Sequence, residues 1–130
     1  MKIIRNAPTI EEFMPKLMEF FGDNLLIAHN GRFDIGMLDK ALERMGKEPI
    51  QNPWIDTLPL SRRLIPLMRS YRLGAVCRFY HIPYDTEAAH RADYDAEVLS
   101  HSFNVMLQDL IKKGFKTIDE INDIENRRQL

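Results

Sequence analysis

The sequence predicts an α/β domain in which helices outweigh strands. Two short apolar runs, 25–28 and 54–56, read as strands, and between them lies a helix-spaced apolar stripe of Phe33, Met37, Leu38, Ala41, Leu42 and Met45. The composition, 45% hydrophobic and 28% charged over 130 residues, is that of an ordinary globular chain of one domain. Disordered, collagen-like and coiled-coil architectures do not fit those figures.

Thr9 and Glu12 form a capping box ahead of Ile10, Phe13, Met14, Leu17, Met18 and Phe21, which predicts a helix that Gly22 stops. Pro15 falls inside that pattern and is expected to kink or shorten it. The run 25–28 does not alternate, so it is expected to be a strand buried on both faces. Asn30-Gly31 punctuates, with Asn30 as the natural N-cap, and the second helix closes at Gly46. After a loop at 49–53 and the strand Trp54-Ile55-Asp56, Asp56 is expected to cap a helix over 57–64, with Pro59 in its first turn. Leu73, Val76, Cys77 and Tyr80 mark a further short helix. A loop at 81–89 then leads into the longest helix, which one of Asp93 and Asp95 is expected to cap while the other points elsewhere. Thr117 and Glu120 cap a terminal helix carrying Ile118, Ile121 and Ile124. Two parallel strands are few for a sheet covered by so many helices, a strand deficit.

Eighteen basic against nineteen acidic residues leave a net charge of -1, which points neither toward nor away from nucleic acid. The single cysteine, Cys77, cannot form an internal disulfide. The N-terminus lacks a signal-peptide pattern and no run approaches the ~20 apolar residues of a membrane span, so a cytoplasmic domain without membrane attachment is expected. Charge is nonetheless uneven. Between positions 62 and 91, Arg62, Arg63, Arg69, Arg72, Arg78 and Arg91 face only Asp85 and Glu87, a local charge of +4. A solvated surface competes there with a phosphate-binding face.

Two constellations carry chemistry. Ala28-His29-Asn30-Gly31-Arg32-Phe33-Asp34 sets a carboxylate just past the carboxyl end of a strand, where open α/β sheets place their ligands. His90-Arg91-Ala92-Asp93-Tyr94-Asp95 sets a histidine in a loop five residues before an aspartate that opens a helix. Taken singly, Asp34 reads as a helix-dipole partner, Asn30 as a cap and His90 as a surface residue. Trp54, Phe79, Tyr80 and Phe103 are expected in the core, as is Cys77; Phe33 suits either core or a nucleotide pocket. His29 is expected to pack or bond locally. His81 and His101 have no partner at ligand spacing.

The ordered pair Ala28-His29-Asn30-x-x-Phe33-Asp34 and His90-x-Ala92-x-x-Asp95 resembles the DEDDh family of 3′–5′ exonucleases. Asn52-Pro53-x-Ile55-Asp56-Thr57-Leu58-x-Leu60-x-Arg62 and Tyr71-Arg72-Leu73 look like the proofreading exonuclease domain of PolC-type DNA polymerase III. The resemblance runs from about residue 7 to 114, leaving 115–130 as a short helix and tail of the same domain. It implies a ribonuclease H-like fold and hydrolysis of the 3′-terminal phosphodiester of DNA. Asp34 and Asp95 are implied as ligands of two divalent metals, Mg²⁺ or Mn²⁺, and His90 as the general base for the attacking water. Asn30, Phe33, Arg72 and Arg91 are assigned to nucleic acid, and the implied partners are a single-stranded DNA 3′ end and the remainder of a polymerase chain.

The family's first motif, an Asp-x-Glu on its opening strand, is not found in residues 1–22, where Glu11, Glu12 and Glu19 sit on a helical pattern. The sequence therefore reads as an N-terminally truncated form of the fold, with half the carboxylate set and little or no activity alone. Loss of strands is also expected to expose a sheet edge and favour a homodimer. Two other readings stand beside the nuclease: a non-catalytic remnant that binds nucleic acid or a replication partner, and an oligoribonuclease-like enzyme.

Overall fold

The computed structural model describes residues 9–89 and 91–130. In chain order the elements are α1 (Ile10–Phe21), β1 (Leu26–Ala28), α2 (Gly31–Arg44), β2 (Trp54–Asp56), α3 (Thr57–Leu64), α4 (Leu73–Phe79), α5 (Ala92–Lys112), α6 (Ile118–Asn122) and a 3₁₀ turn, Ile124–Asn126. β1 and β2 pair as a two-stranded parallel sheet. No described helix is long and apolar enough to cross a membrane. The chain divides into two compact units, Met1–Leu26 with Arg32–Trp54, and Ile27–Gly31 with Ile55–Leu130.

In the first unit the Thr9 hydroxyl accepts the Glu12 N–H at 3.2 Å and starts α1. α1 runs through Pro15 to Phe21, so it is not shortened there as one of the two expected outcomes had it. Pro15 removes the donor for the Glu11 carbonyl, but it lies on the exposed side where a carbonyl turns to water. Burial of the opposite face offsets that loss: Met14, Ile10, Leu17, Met18 and Phe21 pack in one cluster with Ile35, Ala41, Leu42 and Ile50. α2 ends in a Schellman motif, with Gly46 at φ +69°, its N–H on the Glu43 carbonyl and the Lys47 N–H on the Leu42 carbonyl, both at 2.9 Å. The 47–53 loop is tied down twice. Asp39 Oδ1 accepts the Ile50 N–H at 2.7 Å, and the Asn52 amide donates to the Gly22 and Asn24 carbonyls at 2.9 Å.

In the second unit α5 supplies the wall of the core. Val98, Phe103, Met106 and Leu110 are buried, the last three against Ile55, Leu60, Ile65, Val76, Phe115, Ile121 and Ile124. Cys77 is also buried, and burial pushes its thiol up, as suits a packing residue. The Arg63 guanidinium donates to the Ile124 carbonyl at 2.9 Å, fastening the 3₁₀ turn to α3. The helices α4 and α5 both end in Schellman motifs. One uses Gly114 at φ +94°; the other places His81 at φ +58°, with the Ile82 N–H on the Cys77 carbonyl at 2.8 Å.

Other expectations are corrected. β1 is half-buried along its length, not buried on both faces; among the described residues it has one strand neighbour, β2. Phe79 is 49% exposed, so this aromatic is outside the core; it follows the polar side of a short helix whose inner positions are Val76 and Cys77. Neither Asp93 nor Asp95 caps α5. The N-cap position is Arg91, whose side chain makes no capping bond.

Candidate active site

β1 runs into Ala28-His29-Asn30-Gly31, and α2 begins at Gly31. Asn30 takes φ +71°, a left-handed conformation that asparagine tolerates better than most side chains. An N-cap has extended backbone, so the expected capping role of Asn30 is corrected. Its backbone N–H donates to Asp56 Oδ1 at 3.0 Å, and the same oxygen accepts the Leu58 N–H at 3.0 Å. One carboxylate, 8% exposed, thus caps α3 and fixes the turn that starts α2. Gly31 sits in a close-packed turn: a Cβ there would stand 3.3 Å from Ala28 Cβ, a tight contact, and 3.6 Å from Asp56 Cα, an ordinary one.

His29 bonds on both ring nitrogens, Nδ1 to Thr57 Oγ1 at 2.8 Å and Nε2 to the Tyr71 carbonyl. Desolvation lowers its pKa from 6.5, partly countered by the Tyr71 carbonyl, so the neutral ring is favoured. A carbonyl only accepts, so Nε2 carries the proton and Nδ1 accepts from the Thr57 hydroxyl. The loop before α4 is thereby held to the segment that precedes Asn30.

Asp34 is the fourth residue of α2, half-buried, in the first unit. Asp95 is the fourth residue of α5, half-buried, in the second unit. The loop that leads to α5 is braced by aromatic packing. The Tyr84 and Tyr94 rings lie 5.8 Å apart, and the Tyr94 hydroxyl accepts the Asp85 N–H. Tyr84 lies so close to α4 that a Cβ on Gly74 would stand 2.8 Å from its ring, which is why glycine occupies that position. Desolvation and then the Asp95 carboxylate push the Tyr84 hydroxyl up from its ordinary value. His90 lies outside the described residues.

Of the residues assigned to nucleic acid, Phe33 is 65% exposed and so not a core residue. With Arg32, Gly36, Met37, Lys40 and Arg44 it lines a concavity of about 440 Å³ on the α2 face. Arg72 and Arg91 are exposed residues at the N-caps of α4 and α5. A hard divalent cation asks for carboxylate oxygens, which Asp34 and Asp95 offer. Among the described residues, however, no group of three or more His, Cys, Asp or Glu is placed to hold a metal ion. The donor type fits such a site and the donor number does not. What the sequence did not reveal is the scaffold: the Asp56–Asn30 bond and the His29–Tyr71 bond join positions 26 and 42 residues apart. Its trace in the sequence was only that Asp56 and Tyr71 fall within family-like segments.

The chain matches the family model described as Exonuclease over residues 2–103. It is 44% identical to the DNA polymerase III PolC-type of Ureaplasma parvum over 123 residues, covering 93% of this chain and 8% of that protein. The Bacillus cereus PolC-type polymerase is 39% identical over 121 residues, again with 93% and 8% coverage. The chain thus spans about 8% of the length of these curated relatives. Among solved structures, Exonuclease X in complex with 5′ overhanging duplex DNA aligns with a TM-score of 0.58 and 26% identity, covering 92% of this chain and 64% of that one.

Proposed function

This chain belongs to the Exonuclease family, homologous to the exonuclease domain of PolC-type DNA polymerase III, and from that membership we propose that it forms part of a proofreading 3′–5′ exonuclease. Its architecture is the ribonuclease H-like exonuclease fold in a helix-dominated form with a two-stranded sheet. The proposed reaction is hydrolysis of the 3′-terminal phosphodiester of single-stranded DNA, releasing a nucleoside monophosphate. The observation that carries the reading is the placement of Asp34 and Asp95, each at the fourth position of a helix entered from a braced turn or loop, in the family's motif order.

In this reading Asp34 and Asp95 hold divalent cations, Mg²⁺ or Mn²⁺, together with carboxylates from outside the described residues. When bound, the ions supply charge stabilisation at the scissile phosphate. His90 takes the proton of the attacking water, while Asn30, Phe33, Arg72 and Arg91 hold the terminal nucleotides. A positioned base contributes about 10²–10⁴ of the roughly 10⁶–10¹⁷ by which enzymes accelerate reactions. His90 therefore cannot sustain the reaction without the full ligand set, and the 130-residue chain alone is expected to have little or no activity. Positions 1–130 are read as a single partial domain, with 7–114 its family-like core. Among the described residues each strand of the sheet pairs on one side only, and self-association through the other edge is part of the proposal. Monomeric sedimentation at high protein concentration overturns that part.

The test uses the natural polypeptide that contains this chain, 5′-labelled single-stranded DNA and Mg²⁺. Stepwise shortening from the 3′ end, lost in Asp34→Ala, Asp95→Ala and His90→Gln, is the expected result. Degradation that persists in Asp95→Ala, or robust degradation by the 130-residue chain alone, contradicts it.

A further inference from the structure

The segment between α3 and α4 is built around Tyr71. Its hydroxyl donates to the Ile65 carbonyl and accepts the Met68 N–H at 3.3 Å, and its carbonyl receives His29 Nε2. Inside this closed loop Leu67 adopts φ +65° while 99% exposed. A leucine held in the left-handed region and offered wholly to water gains nothing from the fold, and such strain marks segments kept for contact.

Beside it lies a concavity of about 460 Å³, entirely within the second unit, lined by Met68, Arg69 and Ser70 of the loop and by Ala75, Arg78 and Phe79 of α4. Two guanidinium groups and an aromatic ring share it, and among the described residues no carboxylate lines it. Phe79 is half exposed, and its ring is steadied edge-to-face on Tyr80, with centroids 5.1 Å apart at 81°. An aromatic ring beside two arginines is the chemistry of a single-stranded nucleic-acid contact: guanidinium on phosphate, base on aromatic face.

We propose that this concavity binds single-stranded nucleic acid, Arg69 and Arg78 taking phosphates and the Phe79 ring taking a base, as a contact distinct from the carboxylate motifs of Asp34 and Asp95. The proposal deepens the nuclease reading and rests on it for the class of partner. Through the Tyr71–His29 bond the loop that bears Arg69 is tied, within the second unit, to the segment entering Asn30.

The test titrates the full chain, in EDTA so that no hydrolysis occurs, into 5′-fluorescein dT12 and, side by side, rU12, across a salt series read by anisotropy. Binding of either oligonucleotide by the wild type is expected, the tighter one naming the source. Arg69→Gln/Arg78→Gln, two exposed substitutions, is expected to weaken binding about tenfold or more and to flatten the log K against log salt slope by roughly 1.4, at about 0.7 per phosphate contact. Phe79→Ala is expected to weaken it at least about fivefold and Phe79→Trp to retain it. No wild-type binding, or a folded double variant with unchanged affinity and slope, overturns the proposal. Hydrolysis by the natural polypeptide that depends on Asp95 while the double variant binds normally overturns this contact and leaves the exonuclease reading standing. Weakened binding in the double variant with Asp95-independent hydrolysis does the reverse.

Discussion

The carboxylate of Asp56 accepts the backbone N–H of Asn30 across 26 positions of sequence, with the same oxygen that caps α3 through Leu58. Removing it unties two elements at once. Asp56→Ala is expected to cost about 2–4 kcal/mol, combining a helix cap with a bond to a charged acceptor. Asp56→Asn keeps an acceptor oxygen and is expected to cost less than half as much. Urea midpoints measure both, and faster amide exchange at Asn30 and Leu58 identifies the cause.

His29 makes stability depend on pH. Its folded pKa lies below 6.5 because burial disfavours the charged ring. The unfolded chain therefore binds the proton more readily, and the histidine's contribution is complete above pH 6.5 and declines as pH falls through that value toward the folded pKa. Urea midpoints at pH 7.5 and 5.5 are expected to differ, with the lower value at pH 5.5. His29→Asn is expected to shrink the difference; an undiminished one contradicts this account.

The two faces of α5 are expected to respond very differently. Met106 and Leu110 are fully buried, while Ile111, one residue further, is 59% exposed. Leu110→Ala or Met106→Ala is expected to destabilise by about 2–5 kcal/mol, because the transfer and cavity costs add. Ile111→Ala is expected to stay within about 0.5 kcal/mol. Equal effects would mean that α5 is rotated from the orientation described.

His81 holds the C′ position of a Schellman motif at φ +58°, where glycine meets no steric penalty. His81→Gly is expected to raise stability by about 0.5–1 kcal/mol, the left-handed cost of a side chain less the extra entropy of an unfolded glycine. A loss of stability would mean that the imidazole itself contributes more than the strain it imposes.

Much of the local structure was legible in the sequence because it is set by neighbours. The Thr9 and Thr117 capping boxes, Asp56 at the head of α3, Gly46 at the end of α2 and the apolar stripes of α2 and α5 all follow from residues within a turn or two of each other. Family membership was legible too, from the ordered motifs around Asp34 and Asp95 and the segments between them, and the Exonuclease model matches residues 2–103. Tertiary structure decided what depends on groups far apart in the chain. Pro15 stays helical because the opposite face of α1 is buried. Asn30 is a left-handed turn residue and not a cap because Asp56 waits for its N–H. Phe79 stands outside the core, and Tyr71 closes a loop around a strained Leu67. Periodicity and capping report contacts between near neighbours; a hydrogen bond spanning 26 or 42 residues leaves no period in the sequence, so the fold alone decides it.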